Sequence, residues 1–130
     1  MKRKISLLLM LTLLLLGVIS CTPQPLTLDA SDAGTAIVIA PGDQFHIVLD
    51  GNPSTGYSWM VLDIDGQVLS QVGDAEFDSA APNLVGAGGT LRLTFEGVDQ
   101  GSTLLVLGYL RSWETDVPPL ETYRVNVTVE

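Results

Sequence analysis

The sequence predicts an all-β protein, an immunoglobulin-like antiparallel β-sandwich of about seven to eight strands. Three observations lead there. Apolar and polar residues alternate over short runs, the period of a strand with one buried face. Clusters of Gly, Pro and Asp separate those runs at the close spacing typical of a sandwich. Beyond the first twenty residues, no segment sustains a helical period.

The first twenty residues stand apart from this pattern. Lys2, Arg3 and Lys4 precede an apolar run from Ile5 to Ile19, which ends at Ser20-Cys21. A basic head, an apolar stretch of about 15 residues and a small residue before the cleavage point make a secretory signal. The run is shorter than the ~20 residues a bilayer-spanning helix needs. Cys21 is the only cysteine, so no disulfide can form within the chain. Val18-Ile19-Ser20-Cys21 resembles the bacterial lipobox, which implies cleavage before Cys21 and lipidation of its thiol. Residues 1–20 are thus expected to be a lipoprotein signal peptide, 21–33 a lipidated Cys and tether, and 34–130 the domain. The protein would be exported and lipid-anchored to the bacterial cell envelope, touching the membrane through Cys21 without spanning it. A plain signal peptide with an incidental cysteine, or a short anchor helix, stays open beside this.

The strands follow in order. Phe45, Ile47 and Leu49 alternate with His46 and Val48 after a Pro41-Gly42-Asp43 turn, and residues 57–62 form the next strand. Asp65-Gly66 signals a tight turn, and another strand lies within 67–77. Leu91, Leu93 and Phe95 alternate with polar neighbours, and a turn over 97–101 follows. Residues 104–109 are continuously apolar, as in a strand central to its sheet. Tyr123, Val125, Val127 and Val129 alternate in the last strand. It also carries Asn126-Val127-Thr128, a formal glycosylation sequon that reads here as sheet surface. If these strands run antiparallel in succession, every second connection falls at the same end. The loops over 51–56, 78–89 and 111–120 then share one end, where binding sites are usually built.

Charge narrows the function. Without residues 1–20 the chain keeps all fifteen acidic residues against Arg92, Arg111 and Arg124. That balance argues against nucleic acid and against direct contact with anionic lipid. His46 is the only histidine and sits on an expected strand, where a structural role is the usual one. There is no metal-ligand cluster and no phosphate-binding glycine loop between strand and helix. A catalytic triad drawn from His46 with Ser54 or Ser58 has no support in spacing. An enzyme is not expected, nor a cofactor, and the domain is expected to be a monomer.

The three loops carry unusual chemistry. Gly51 to Trp59 reads GNPSTGYSW, without one charge in an acidic protein. Pro53 sets its own φ and restricts Asn52, and Gly56 permits a positive φ. The second loop ends in Gly86-Ala87-Gly88-Gly89, whose glycines let a backbone approach a partner closely. The third opens Arg111-Ser112-Trp113-Glu114, with the two residue types most enriched at interface hot spots. Taken alone, Trp113 reads as a plug of the core; flanked by Arg111 and Glu114 in a loop, it reads as an exposed anchor.

In this order and at these places, the segments Asn52-Pro53-Ser54-Thr55-Gly56-Tyr57, Gly86-Ala87-Gly88-Gly89 and Arg111-Ser112-Trp113 resemble the chagasin family of cysteine-peptidase inhibitors, which includes bacterial lipoproteins. That family carries Asn-Pro-Thr-Thr-Gly-Tyr, Gly-x-Gly-Gly and Arg-Pro-Trp loops on an immunoglobulin-like sandwich. The resemblance spans about residues 34–130. It implies a reversible inhibitor that blocks the cleft of a papain-like cysteine peptidase. Ser54 and Thr55 would sit over the catalytic Cys–His pair, Gly86–Gly89 would pair along the cleft on one side, and Trp113 with Arg111 would pack on the other. Two residues depart from the pattern. Ser54 replaces Thr and keeps the hydroxyl, whereas Ser112 replaces Pro and is expected to loosen the third loop. The alternative is a non-inhibitory immunoglobulin-like envelope lipoprotein acting as a protein-binding module.

Overall fold

The computed structural model describes residues 23–130; the expected signal peptide over 1–20 and the lipidation expected at Cys21 lie outside the described residues. Among the described residues nine strands form the domain: β1 (Leu26–Leu28), β2 (Ala36–Ile39), β3 (Gln44–Gly51), β4 (Ser58–Asp63), β5 (Leu69–Gln71), β6 (Glu76–Ser79), β7 (Gly89–Gly97), β8 (Gly101–Leu110) and β9 (Glu121–Val129). They build two sheets, one ordered β1-β3-β7-β5 with β6 also on β7, the other β2-β9-β8-β4.

Alternation places the core as expected. Phe45, Ile47 and Leu49 of β3 and Leu91, Leu93 and Phe95 of β7 turn inward, against Leu105, Leu107, Val125 and Val127 of the facing sheet. Phe45 and Phe95 are paired across the strands and their rings stack at 5.5 Å. Each such burial is worth about 1.5–3 kcal/mol. The continuous apolar run is β8, flanked by β9 and β4. It is covered on both faces at residues 105–108, where Leu62 and Pro119 close over Gly108.

Three details differ from the sequence reading. The strand placed within 67–77 is two, β5 and β6, broken at Gly73 (φ 68°) and both pairing with β7. The sheets are mixed, because β1 runs parallel to β3 and β2 parallel to β9. Residues 26–33 are part of the sandwich and not tether. Leu28 is buried in the core, and the Tyr123 hydroxyl donates to the Asp29 carbonyl at 3.0 Å. Asp29 caps a 3-10 turn over Ala30–Asp32. The Ser31 hydroxyl and amide hold its carboxyl below the usual carboxylate range. A three-residue strand is too short to show a period, and a parallel edge pairing leaves no local mark.

His46 takes the structural role. Its Nδ1 lies 2.9 Å from the Thr94 hydroxyl of the neighbouring strand. Register also orients the molecule. Gly51 pairs with Gly89 and Ser58 with Leu110, so the 51–57, 80–88 and 111–120 connections share one end, as parity requires. Leu26 lies beside Phe45, so the chain enters at the opposite end.

Candidate functional site

The first loop is a single 3-10 turn over Pro53–Thr55. Asn52 caps it, its side-chain oxygen accepting from the Ser54 amide at 3.2 Å and from the Ser54 hydroxyl. The Thr55 hydroxyl donates to the Asn52 carbonyl at 2.7 Å, and the Gly56 amide to the Pro53 carbonyl at 2.9 Å. Gly56 ends the turn at φ 84°, the left-handed conformation glycine adopts without strain. Pro53, Ser54 and Thr55 are exposed at the tip.

Below the tip, aromatic residues tie the loop to the sandwich. Trp59 is buried and its Nε1 donates to the Asp50 carbonyl at 2.9 Å. Its ring lies 5.2 Å from Tyr109, whose own ring is 5.4 Å from Tyr57. The Tyr109 hydroxyl accepts from the Asn52 amide at 2.9 Å.

The second loop is stiffened by two consecutive turns, with Leu84 donating to Ala81 at 3.0 Å and Ala87 to Leu84 at 3.4 Å. Gly86 (φ 80°) sits third in the latter turn, as a type II turn demands. The Ala80 amide donates to the Gly88 carbonyl at 3.0 Å and closes the base. Asn52 joins this loop to the first, its Nδ2 donating to the Gly86 carbonyl at 3.0 Å. Gly89 belongs to β7 and to the sheet, where a Cβ would collide with the Asp78 backbone of β6.

The third loop leans on the first. Arg111 Nε donates to the Thr55 carbonyl at 3.0 Å, and the guanidinium lies 4.4 Å from the centre of the Tyr57 ring. Arg111 Nη1 pairs with Glu114 at 3.1 Å. A turn runs between the same two residues, the Glu114 amide donating to the Arg111 carbonyl at 3.2 Å. Ser112 is exposed within this turn, which closes without the proline of the family pattern. Trp113 is 65 % exposed, so it is not a core plug; Trp59, at 5 %, has that place. The Trp113 ring covers Gly56, where a Cβ would collide with it.

All three sequence segments therefore meet. Asn52 bridges the first and second loops, and Arg111 and Trp113 bridge the third to the first. The surface they present is hydroxyl-bearing at its centre and apolar at its flanks. Val85 (107 % exposed), Leu84, Trp113 and Leu120 are the four most exposed large apolar side chains among the described residues. Leu84 and Val85 escaped the sequence reading, although two bulky apolar residues in a Pro- and Gly-containing loop were a usable signal. Glu114 was read only as a charged flank of Trp113; its spacing of three from Arg111 was the clue to the ion pair.

Residues 38–127 match the chagasin family of peptidase inhibitors, described as "Chagasin family peptidase inhibitor I42". The chain belongs to that family. This chagasin-family chain is 34 % identical over 105 residues to Amoebiasin-1 of Entamoeba histolytica, covering 81 % of the chain and 100 % of Amoebiasin-1. The solution structure of Amebosin is similar with a TM-score of 0.69 at 33 % identity, covering 83 % of the chain and 100 % of Amebosin. The crystal structure of a cysteine protease inhibitor from Entamoeba histolytica shares the fold, with a TM-score of 0.70 at 24 % identity. That match covers 84 % of the chagasin-family chain and 100 % of the neighbour.

Proposed function

We propose that the protein reversibly inhibits papain-like cysteine peptidases by seating the three joined loops in the catalytic cleft. The single observation that carries this is the interlocked, uncharged tip over Pro53–Thr55, flanked on both sides by exposed apolar residues. A papain-like site pairs a Cys thiolate with a His. Ser54 and Thr55 bring hydroxyls to that pair without burying an unpaired charge, which would be costly. Arg111, the one cation beside the tip among the described residues, is already matched by Glu114.

The same geometry explains why such a wedge is not processed as a substrate. Cleavage needs an extended segment whose carbonyl is free to be polarised in an oxyanion hole. Here the Asn52 and Pro53 carbonyls accept from within the turn, and the Thr55 carbonyl accepts from Arg111. The site thus acts by occupancy and performs no chemistry of its own. Loops already tied together lose little conformational freedom on docking, which leaves more of the contact energy as affinity.

Location follows from the same reading. With the lipobox-like segment lipidated at Cys21, the domain hangs from the cell-envelope membrane as a monomer. The chain enters the sandwich beside Phe45, at the end opposite the loops. An anchor there leaves the loops facing away from the lipid.

Titrating papain and a panel of related peptidases with the chain lacking residues 1–21 tests the proposal. Inhibition reversible on dilution is expected, with the inhibitor recovered uncleaved. Thr55→Asp should weaken it at least a hundredfold by placing a carboxylate in the cleft. A folded domain that inhibits none of the panel sinks the reading and leaves a protein-binding module.

A further inference from the structure

We propose that Glu114 is a positioning residue for inhibition, acting through Arg111 to hold the third loop against the wedge. This rests on the inhibitory reading above and extends it to a residue outside the three sequence motifs.

Arg111 touches three partners at once. Its Nε reaches the Thr55 carbonyl at 3.0 Å, its plane lies 4.4 Å over the Tyr57 ring, and its Nη1 reaches Glu114 at 3.1 Å. The first two contacts are on the first loop and the last is on the third. An arginine side chain is long and loses much rotamer freedom when held. A second fixed point on the guanidinium selects the one rotamer that also reaches Thr55. Glu114 supplies that point, and it is itself fixed because its amide closes the turn on the Arg111 carbonyl at 3.2 Å. The turn and the ion pair thus join the same two residues, bracketing Ser112 and Trp113.

Two consequences follow. The bracket stiffens a turn whose second position is Ser112, where proline would preset φ. It also sets the direction from which Trp113 lies over Gly56, since the indole leaves the chain inside the bracket. The side chains of Arg111 and Glu114 are 34 % and 27 % exposed. An ion pair this open to water contributes little to folding. Its effect lies in keeping Trp113 and Thr55 in one arrangement before the peptidase arrives.

The test compares inhibition constants, dissociation rates and melting temperatures for the full chain and three variants against papain. Glu114→Ala is expected to raise the inhibition constant about tenfold with the melting temperature nearly unchanged. Glu114→Gln keeps an acceptor oxygen at the same place and should stay within about threefold of the parent. Ser112→Pro added to Glu114→Ala should recover most of the loss, because it stiffens the same turn by other means. The proposal is overturned if Glu114→Ala leaves inhibition intact. It is equally overturned if the loss tracks a fall in melting temperature, or if the proline restores nothing. A parent chain that does not inhibit at all removes the inhibitory reading itself, which is a separate outcome.

Discussion

The outer edge of the Trp113 indole sits so close over Gly56 that a Cβ at position 56 would collide with it, although the same residue is 65 % exposed. The third loop is therefore seated on the backbone of the first, at a residue with no side chain to keep it away. Gly56 also holds φ 84°, so two independent constraints meet at this position.

Gly56→Ala breaks both. A left-handed conformation costs an alanine roughly 1–2 kcal/mol, and the methyl displaces Trp113. The expected result is a melting temperature lower by a few degrees and inhibition weakened at least tenfold. Thermal denaturation and papain titration of the same preparation check it.

The two tryptophans should behave oppositely. Trp113→Ala removes an exposed side chain and is expected to change stability by less than about 1 kcal/mol. As an interface anchor it should cost about 2 kcal/mol or more of affinity, some thirtyfold in the inhibition constant. Trp59→Ala empties a core position and should cost about 3–5 kcal/mol of stability. Urea unfolding beside inhibition assays separates the two.

The second glycine loop divides in the same way. Gly89→Ala drives a methyl into the Asp78 backbone and should lower stability by about 1–3 kcal/mol as β6 is pushed from β7. At Gly88 a Cβ meets only the Gly51 carbonyl at 3.7 Å, an ordinary contact. Gly88→Ala should leave the urea midpoint nearly unchanged. A midpoint equally lowered by both would contradict this division.

Tyr123 makes stability fall in alkali. Burial, then the nearby Asp32 and Asp29 carboxylates, push its hydroxyl from 10.0 up to about 12. The folded state thus holds the proton more tightly than the unfolded chain. The resulting stabilisation is complete below pH 10 and is lost as pH rises from there through about 12. Tyr123→Phe forfeits the hydrogen bond to the Asp29 carbonyl, about 1 kcal/mol at neutral pH. Its urea midpoint should then decline less than the parent's over that alkaline window.

Much of this architecture was readable without coordinates. Alternation in β3, β7 and β9 placed Phe45, Leu93 and Val125 inside, because a strand's period of two is a property of adjacent residues alone. Strand parity alone brought the three loops to one end, since antiparallel succession is a counting rule. The absence of charge in GNPSTGYSW and the motif order carried the functional reading.

Other features depend on residues far apart in the chain, and no local pattern encodes them. The parallel pairing of β1 with β3 drew Leu28 into the core from a stretch too short to show a period. Which tryptophan fills the core was settled by where β4 and β8 face each other, with Trp59 opposite Tyr109. The division of labour between Gly88 and Gly89 arose only when β6 came to lie against β7. The Arg111 contacts to Thr55 and Tyr57 needed two loops more than fifty residues apart to arrive at the same place. The sequence by itself determined which strand faces are apolar and which three loops share an end. Only the tertiary structure decided which side chains those loops bring together, because contact depends on the packing of the two sheets as a whole.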